Sequence, residues 1–203
     1  HLTIEPMVVA THRALPEAHP LYALLWPHFR FTLAINNSAF HSLVVPGGVV
    51  ASVLGTSIEG SMEMVRQAHL NWRFDEHRPD NVFKRRGVST QALPDFPFRD
   101  DTLLLWKAIR NFVEGYLGLY YADDGDVVED EELQNWIAEL TSEEGAAVKG
   151  MSGLVVGDGG LRIRTFDYLC DVVAMIVYTA SARHASVNYA QFPLMAFPPS
   201  VSG

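Results

Sequence analysis

The chain has 203 residues, 48% of them hydrophobic and 19% charged, with a formal net charge of −9. That balance describes a folded domain with room for a real core, and the acidity excludes a nucleic-acid footprint or a polybasic membrane anchor. The single cysteine, Cys170, rules out an internal disulfide and any zinc site built on several thiolates, and no apolar run reaches the roughly 18 residues of a membrane span.

In chain order, His1 to Arg13 is apolar, with Pro6 suited to a first helical turn or a kink. His19-Pro20 starts a new helix, with Pro20 as its first residue and Leu21, Leu24 and Leu25 as its apolar face. Pro27 is expected to interrupt it. A second stretch runs from His28 to Val45 and ends at Pro46-Gly47-Gly48. Val49 to Leu54 suits a short strand or a turn. Ser57 to Asn71 reads as a helix, Trp72 to Arg86 as charged and irregular, and Ala92 to Asp101 as a proline-broken loop.

Thr102 to Tyr121 is the clearest amphipathic helix. Leu105, Trp106, Ile109, Phe112, Val113, Tyr116, Leu117 and Tyr120 are expected on its buried face. An acidic loop, Asp123 to Asp130, precedes a short helix from Glu131 to Leu140. Six glycines between Gly145 and Gly160 predict a flexible surface loop, and no clear hairpin pairs are evident. The fold class expected is mainly α, in one domain. The first residues carry no Met start and no basic leader, so a piece of a longer polypeptide is expected.

The longest apolar segment is Thr165 to Gln191. Thr165 suits an N-cap, with Asp167 and Asp171 in the early turns. His184 and Asn188 lie near its end. Four residues apart on a helix, they share one face. Such pairs are more often hydrogen-bonded core partners than ligands, although imidazole is the commonest metal ligand. Small residues (Ala180, Ser181, Ala182, Ala185) surround them, so another element or a metal can approach the backbone closely. Cys170, inside this helix, reads as a small core hydrophobe. The chain lacks HExxH, GxSxG and the complete phosphate-loop motif, and its acidic run lacks EF-hand spacing.

Three sets of residues, in order along the chain, carry a family resemblance. The first is His1, Glu5-Pro6, Thr11-His12-Arg13, Leu15, His19-Pro20, Leu24-Leu25, Pro27-His28, Arg30-Phe31-Thr32 and Ile35-Asn36. The second is Phe98-Arg99-Asp100-Asp101, Leu104, Trp106 and Ala108-Ile109. The third is Thr179-Ala180-Ser181-Ala182, His184-Ala185, Val187-Asn188 and Gln191. Together they resemble the catalytic domain of lipoxygenases, over nearly the whole chain.

The resemblance implies a large helical catalytic domain, of which residues 1–203 are a central segment without its N-terminal and C-terminal portions. It implies dioxygenation of polyunsaturated fatty acids at a 1,4-pentadiene unit. Hydrogen abstraction at a non-haem ferric hydroxide is followed by O2 addition, giving a fatty-acid hydroperoxide. His1, His184 and Asn188 match catalytic metal ligands for iron, and the remainder of the domain supplies the missing ligands. Gln191 matches an amide that orients the ligand Asn. Ala39 matches the alanine-or-glycine position where Ala accompanies S stereochemistry. Leu43, Val53 and Leu54 match residues that shape the substrate pocket.

Three departures stand out: Phe40 where many members have Arg, the Gly145–Arg164 loop, which is unlike the Pro- and Lys-containing loops of plant or animal members, and Arg183 where Leu or Gln usually precedes the ligand His. The alternatives are a metal-free helical lipid-binding module on the same fold and a manganese-dependent member, since Mn and Fe share nitrogen and oxygen ligands.

Overall fold

The computed structural model describes residues 2–189. Helix α1 (Glu5–Ala14) carries Pro6 in its first turn and His12 and Arg13 in its last, and it buries Met7, Val8, Ala10 and Thr11. Helix α2 (Pro20–Phe29) starts as its sequence predicts. His19 Nδ1 accepts the Leu21 N–H at 3.1 Å, and Pro20 opens the first turn. Pro27 does not break the helix but lies inside its last turn. The break comes at Phe31, whose φ of 67° is left-handed and unusual for a bulky residue. Helix α3 (Thr32–Ser42) comes next, so the predicted single stretch from His28 to Val45 is two elements.

Val49–Val53 is neither strand nor simple turn but a short helix, α4. Gly48 precedes it in close backbone quarters: a Cβ there would lie 2.7 Å from the Leu43 carbonyl oxygen. Helix α5 (Ile58–Asn71) is capped by Ser57, whose Oγ accepts the Gly60 N–H at 3.1 Å. The segment expected to be irregular contains a 3₁₀ turn (Asp75–His77) and helix α6 (Pro79–Arg85). Pro79 at the start, Asp80 in the first turn and Lys84 and Arg85 in the last all favour a helix there.

Helix α7 (Pro97–Leu117) begins five residues before Thr102 and ends before Tyr121. Its apolar stripe is only partly covered. Val113 and Leu117 are buried and Trp106, Ile109 and Tyr116 half-buried, but Leu105, Phe112 and Tyr120 are exposed. The acidic stretch forms helix α8 (Asp124–Glu129), capped by Asp123, and helix α9 (Glu131–Thr141), capped by Asp130. α9 buries Leu133, Trp136, Ile137 and Leu140.

The glycine-rich stretch contains an antiparallel hairpin, β1 (Val155–Gly157) with β2 (Gly160–Arg162), in which Val156 faces Leu161. Its sequence signal is the Asp158-Gly159 turn, with Gly159 at φ 83°. The preceding residues are not a loose loop. Phe74 and Asp75 N–H groups donate to the Lys149 and Gly150 carbonyls at 2.8 and 3.0 Å. Asp75 Oδ2 accepts both the Ser152 N–H and its hydroxyl at 2.6 Å, and the Tyr168 hydroxyl at 3.0 Å.

Helix α10 (Phe166–Tyr178) is the centre of the molecule. Thr165 caps it, and every residue from Val172 to Tyr178 is buried. A helix apolar on all sides has to be enclosed, and α7 and α2 pack on it while α1 packs on α9. Its one mid-helix charge, Asp171, is held by Arg78 and by Arg110 Nε at 2.8 Å, which ties α6 and α7 to α10. Cys170 is fully buried there, as expected.

Candidate functional site

α10 does not run straight into the predicted ligands. Thr179–Arg183 forms a π turn, which leads into the short helix α11 (His184–Asn188). An unbroken α-helix would point His184, seven residues beyond Val177, in nearly the same direction as that side chain. One extra residue in a π turn rotates the next helical segment by roughly 100°. His184 sits half-buried and Asn188 exposed, in a stretch where residues 180–185 are all half-buried and 186–189 all exposed.

Hydroxyls stabilise this turn. Ser181 Oγ donates to the Val177 carbonyl at 2.6 Å, and Ser186 Oγ to the Arg183 carbonyl at 2.8 Å. The small residues of the π turn admit α2, which packs directly against it. The close approach expected from Ala180, Ser181 and Ala182 is therefore made by a helix.

The His184 ring stands edge-on to Tyr189, with centroids 5.8 Å apart. Burial lowers the His184 imidazole below its usual value, so it is neutral at neutral pH, the form that ligates a metal. The described donor set is one imidazole and one carboxamide. That is nitrogen-and-oxygen chemistry, which fits iron or manganese better than a thiophilic metal. His1 and Gln191, the other residues expected at this centre, lie outside the described residues. Among the described residues no three His, Cys, Asp or Glu side chains group to hold a metal ion.

Ala39 lies half-buried on α3, which packs on α1. Leu43, Val53 and Leu54 are 41%, 62% and 51% exposed, so they line open surface rather than an enclosed cavity. Other large apolar residues on or next to α3, α4 and α5, namely Phe31, Leu33, Ile35, Phe40, Val49 and Met64, are exposed too. A groove of 550 Å³ runs between α1, α5 and α9, bordered by Leu2, Val9, Met62 and Val65.

Two polar ties are not foreseeable from the sequence as such, although three of their four residues lie in the matched motifs. Asn36 Nδ2 donates to Glu5 Oε2 at 2.5 Å, joining α3 to α1. Trp136 Nε1 donates to Thr11 Oγ1 at 3.0 Å, joining α9 to α1. Each pairs side chains far apart in sequence, which local patterns do not reveal.

A family profile described as lipoxygenase matches residues 1–202. The linoleate 9/13-lipoxygenase of Pseudomonas aeruginosa is 37% identical over 204 residues, covering 99% of this chain and 28% of that protein. The polyunsaturated fatty acid lipoxygenase ALOX15B of Homo sapiens is 36% identical over 201 residues, covering 99% and 29%. Among solved structures, an anaerobic crystal structure of a LOX deletion variant in complex with arachidonate superposes with a TM-score of 0.85 at 30% identity, over 98% of this chain and 29% of that one. A calcium-dependent 11R-lipoxygenase gives 0.84 at 31%, with the same coverage. The chain therefore spans less than a third of the length of these relatives.

Proposed function

This chain belongs to the lipoxygenase family, and on that premise we propose that the protein carrying it converts polyunsaturated fatty acids to hydroperoxides by dioxygenation at a 1,4-pentadiene unit. The observation that carries the reading is the family match across residues 1–202. Relatives at 36–37% identity are named for linoleate or for polyunsaturated fatty acids, and one structural neighbour holds arachidonate.

The metal we propose is non-haem iron, held by His184, Asn188 and His1 together with ligands from the rest of the catalytic domain. Bound iron supplies the one-electron redox chemistry needed to take a hydrogen atom from the methylene between two double bonds. The chain's own residues prepare for that. His184 offers a neutral imidazole nitrogen. Asn188, one turn on, offers a weak carboxamide oxygen, with Gln191 proposed to orient it. Ala39 is proposed to block one oxygen approach with its methyl group, giving S stereochemistry. Leu43, Val53 and Leu54 are proposed to shape the acyl pocket once the remainder of the domain covers α3 and α4.

The decisive experiment is metal analysis of the full-length protein, with product identification on linoleate and arachidonate. Iron near one equivalent and chiral hydroperoxides are expected. A metal-free protein that makes no hydroperoxide would overturn the proposal in favour of a helical lipid-binding module, and manganese in place of iron would correct the metal alone. His184→Ala should abolish iron retention, and Ala39→Gly should move the product toward R on chiral chromatography.

A further inference from the structure

α7 holds α10 at two points along one side. Asp171 Oδ1 accepts Arg110 Nε of α7 at 2.8 Å, and its Oδ2 accepts Arg78, the residue before α6. Seven residues on, at the last position of α10, the Tyr178 ring stands edge-on to Trp106 of α7, with centroids 5.9 Å apart and planes at 89°. Arg78 serves both points, because its guanidinium also lies over the Trp106 ring, 6.0 Å from the centroid. Residues seven apart on a helix share a face, as do Trp106 and Arg110, four apart on α7. The two contacts are therefore rungs of one ladder between antiparallel helices.

The second rung lies at the boundary that bears on the candidate site. Tyr178 is 5% exposed, and the π turn that leads into His184 follows it directly. Val172 to Val177 are buried and hold α10 inside the molecule, but apolar burial is non-directional and fixes rotation about a helix axis only weakly. An ion pair and an edge-on ring pair are directional. One such rung fixes a point. Two of them, about two helical turns apart, fix both the rotation of α10 and the level at which it ends. A π turn is a single irregular turn inside a helix, so where it starts depends on how its flanks are held. On one side α2 packs against it, and on the other stands the Trp106–Tyr178 rung.

We infer that Trp106 and Tyr178 are positioning residues for the metal centre: their ring contact fixes where α10 stops and the π turn begins, and so aims His184. The inference rests on the proposed iron site and adds what holds its ligand turn.

The test uses the full-length protein and two readouts: hydrogen–deuterium exchange of the peptide spanning residues 179–188, and the rate at which a chelator removes iron. Tyr178→Leu and Trp106→Leu each delete one ring of the rung. Each should speed both readouts about tenfold, the size of one aromatic pair. Tyr178→Phe keeps the ring and should stay within about twofold of wild type. Asp123→Ala removes the cap of α8 and lowers stability away from the ladder, and it should leave both readouts within about twofold. Leu variants at the wild-type rates would overturn the inference. So would Tyr178→Phe behaving like Tyr178→Leu, because the hydroxyl and not the ring would then act. Asp123→Ala releasing iron as fast as the Leu variants would overturn it as well, since the effect would be a general loss of stability. Faster exchange with iron release at the wild-type rate would sever the turn from the metal and have the same consequence. If Trp106→Leu does not fold, the comparison of Tyr178→Leu with Tyr178→Phe decides alone. If the wild type holds no metal, the iron reading fails, and exchange at 179–188 in the same variants still decides whether the rung holds the turn.

Discussion

At Asp130 three donors converge on one carboxylate. Its Oδ1 accepts the Leu133 N–H at 2.9 Å, and its Oδ2 accepts the Tyr121 hydroxyl at 2.6 Å and His19 Nε2 at 3.1 Å. His19 Nδ1 already accepts the Leu21 N–H, so its proton sits on Nε2 and points at Asp130. One histidine thus caps α2 and supports the cap of α9. Burial alone would raise the Asp130 carboxyl, but the three donors outweigh it and hold it below its ordinary value. Its contribution to stability is therefore full above the ordinary carboxylate value and is lost as pH falls through the lowered one. Asp130→Ala should cost about 2–4 kcal/mol, a lost cap plus orphaned buried donors. Denaturant unfolding at several pH values should show the gap between wild type and variant closing in acid.

Cys170 gives a second prediction at this scale. Burial pushes its thiol up to about 12. It should resist maleimide labelling in the native state and react at once in denaturant, because the thiolate is the nucleophile. The Thr165, Ser57 and His19-Pro20 helix starts and the burial of Cys170 are all legible in the sequence, because each depends on near neighbours. The His19–Asp130 tie is not, since it joins positions 111 apart.

Among the elements, the π turn matters most for the candidate site. It turns His184 and Asn188 by roughly 100° from the direction an unbroken helix would give them. Deleting Ala182 removes the residue that the π turn absorbs, so the segment should close up as regular α-helix with His184 kept in its present direction. The expected outcome in the full-length protein is iron retained with helical circular dichroism unchanged; loss of iron would show that the turn itself is needed. Residue patterns do not announce this turn, because nothing in the periodicity marks one inserted residue. Helices α4 and α6 and the hairpin escape for another reason: at five, seven and three residues a strand or helix holds too few positions to display a period. On α7 the apolar stripe is plain in the sequence. Leu105 and Phe112 nonetheless face outward, because periodicity shows which face is apolar and not what covers it.

Across the whole molecule the burial is lopsided. α10 and α9 are enclosed, whereas α3 buries only Thr32 and Asn36, α4 nothing and α5 only Ser61. Exposed apolar side chains line all three helices. So many exposed apolar side chains mark surface that another part of a protein covers, which agrees with a chain spanning 28% of its bacterial relative. The 203-residue chain produced alone should therefore bind a hydrophobic dye strongly and scatter light at micromolar concentration, and the full-length protein should do neither. Comparable dye binding by both would mean that this face stays open in the intact protein. The mainly α class and the enclosed helix that leads to His184 are readable from the sequence. The openness of Leu43, Val53 and Leu54 is not, because burial depends on which elements pack over a side chain, and the residue's own type does not record that.

The short polar joint between Asn36 and Glu5 couples the position of α3 to that of α1. Glu5 lies four positions after His1, and Asn36 three before Ala39. If His1 and Ala39 act as proposed, metal seating and product handedness share one mechanical linkage. A substitution that tilts α1 drags the stereochemical methyl with it, so neither property is free to evolve without disturbing the other.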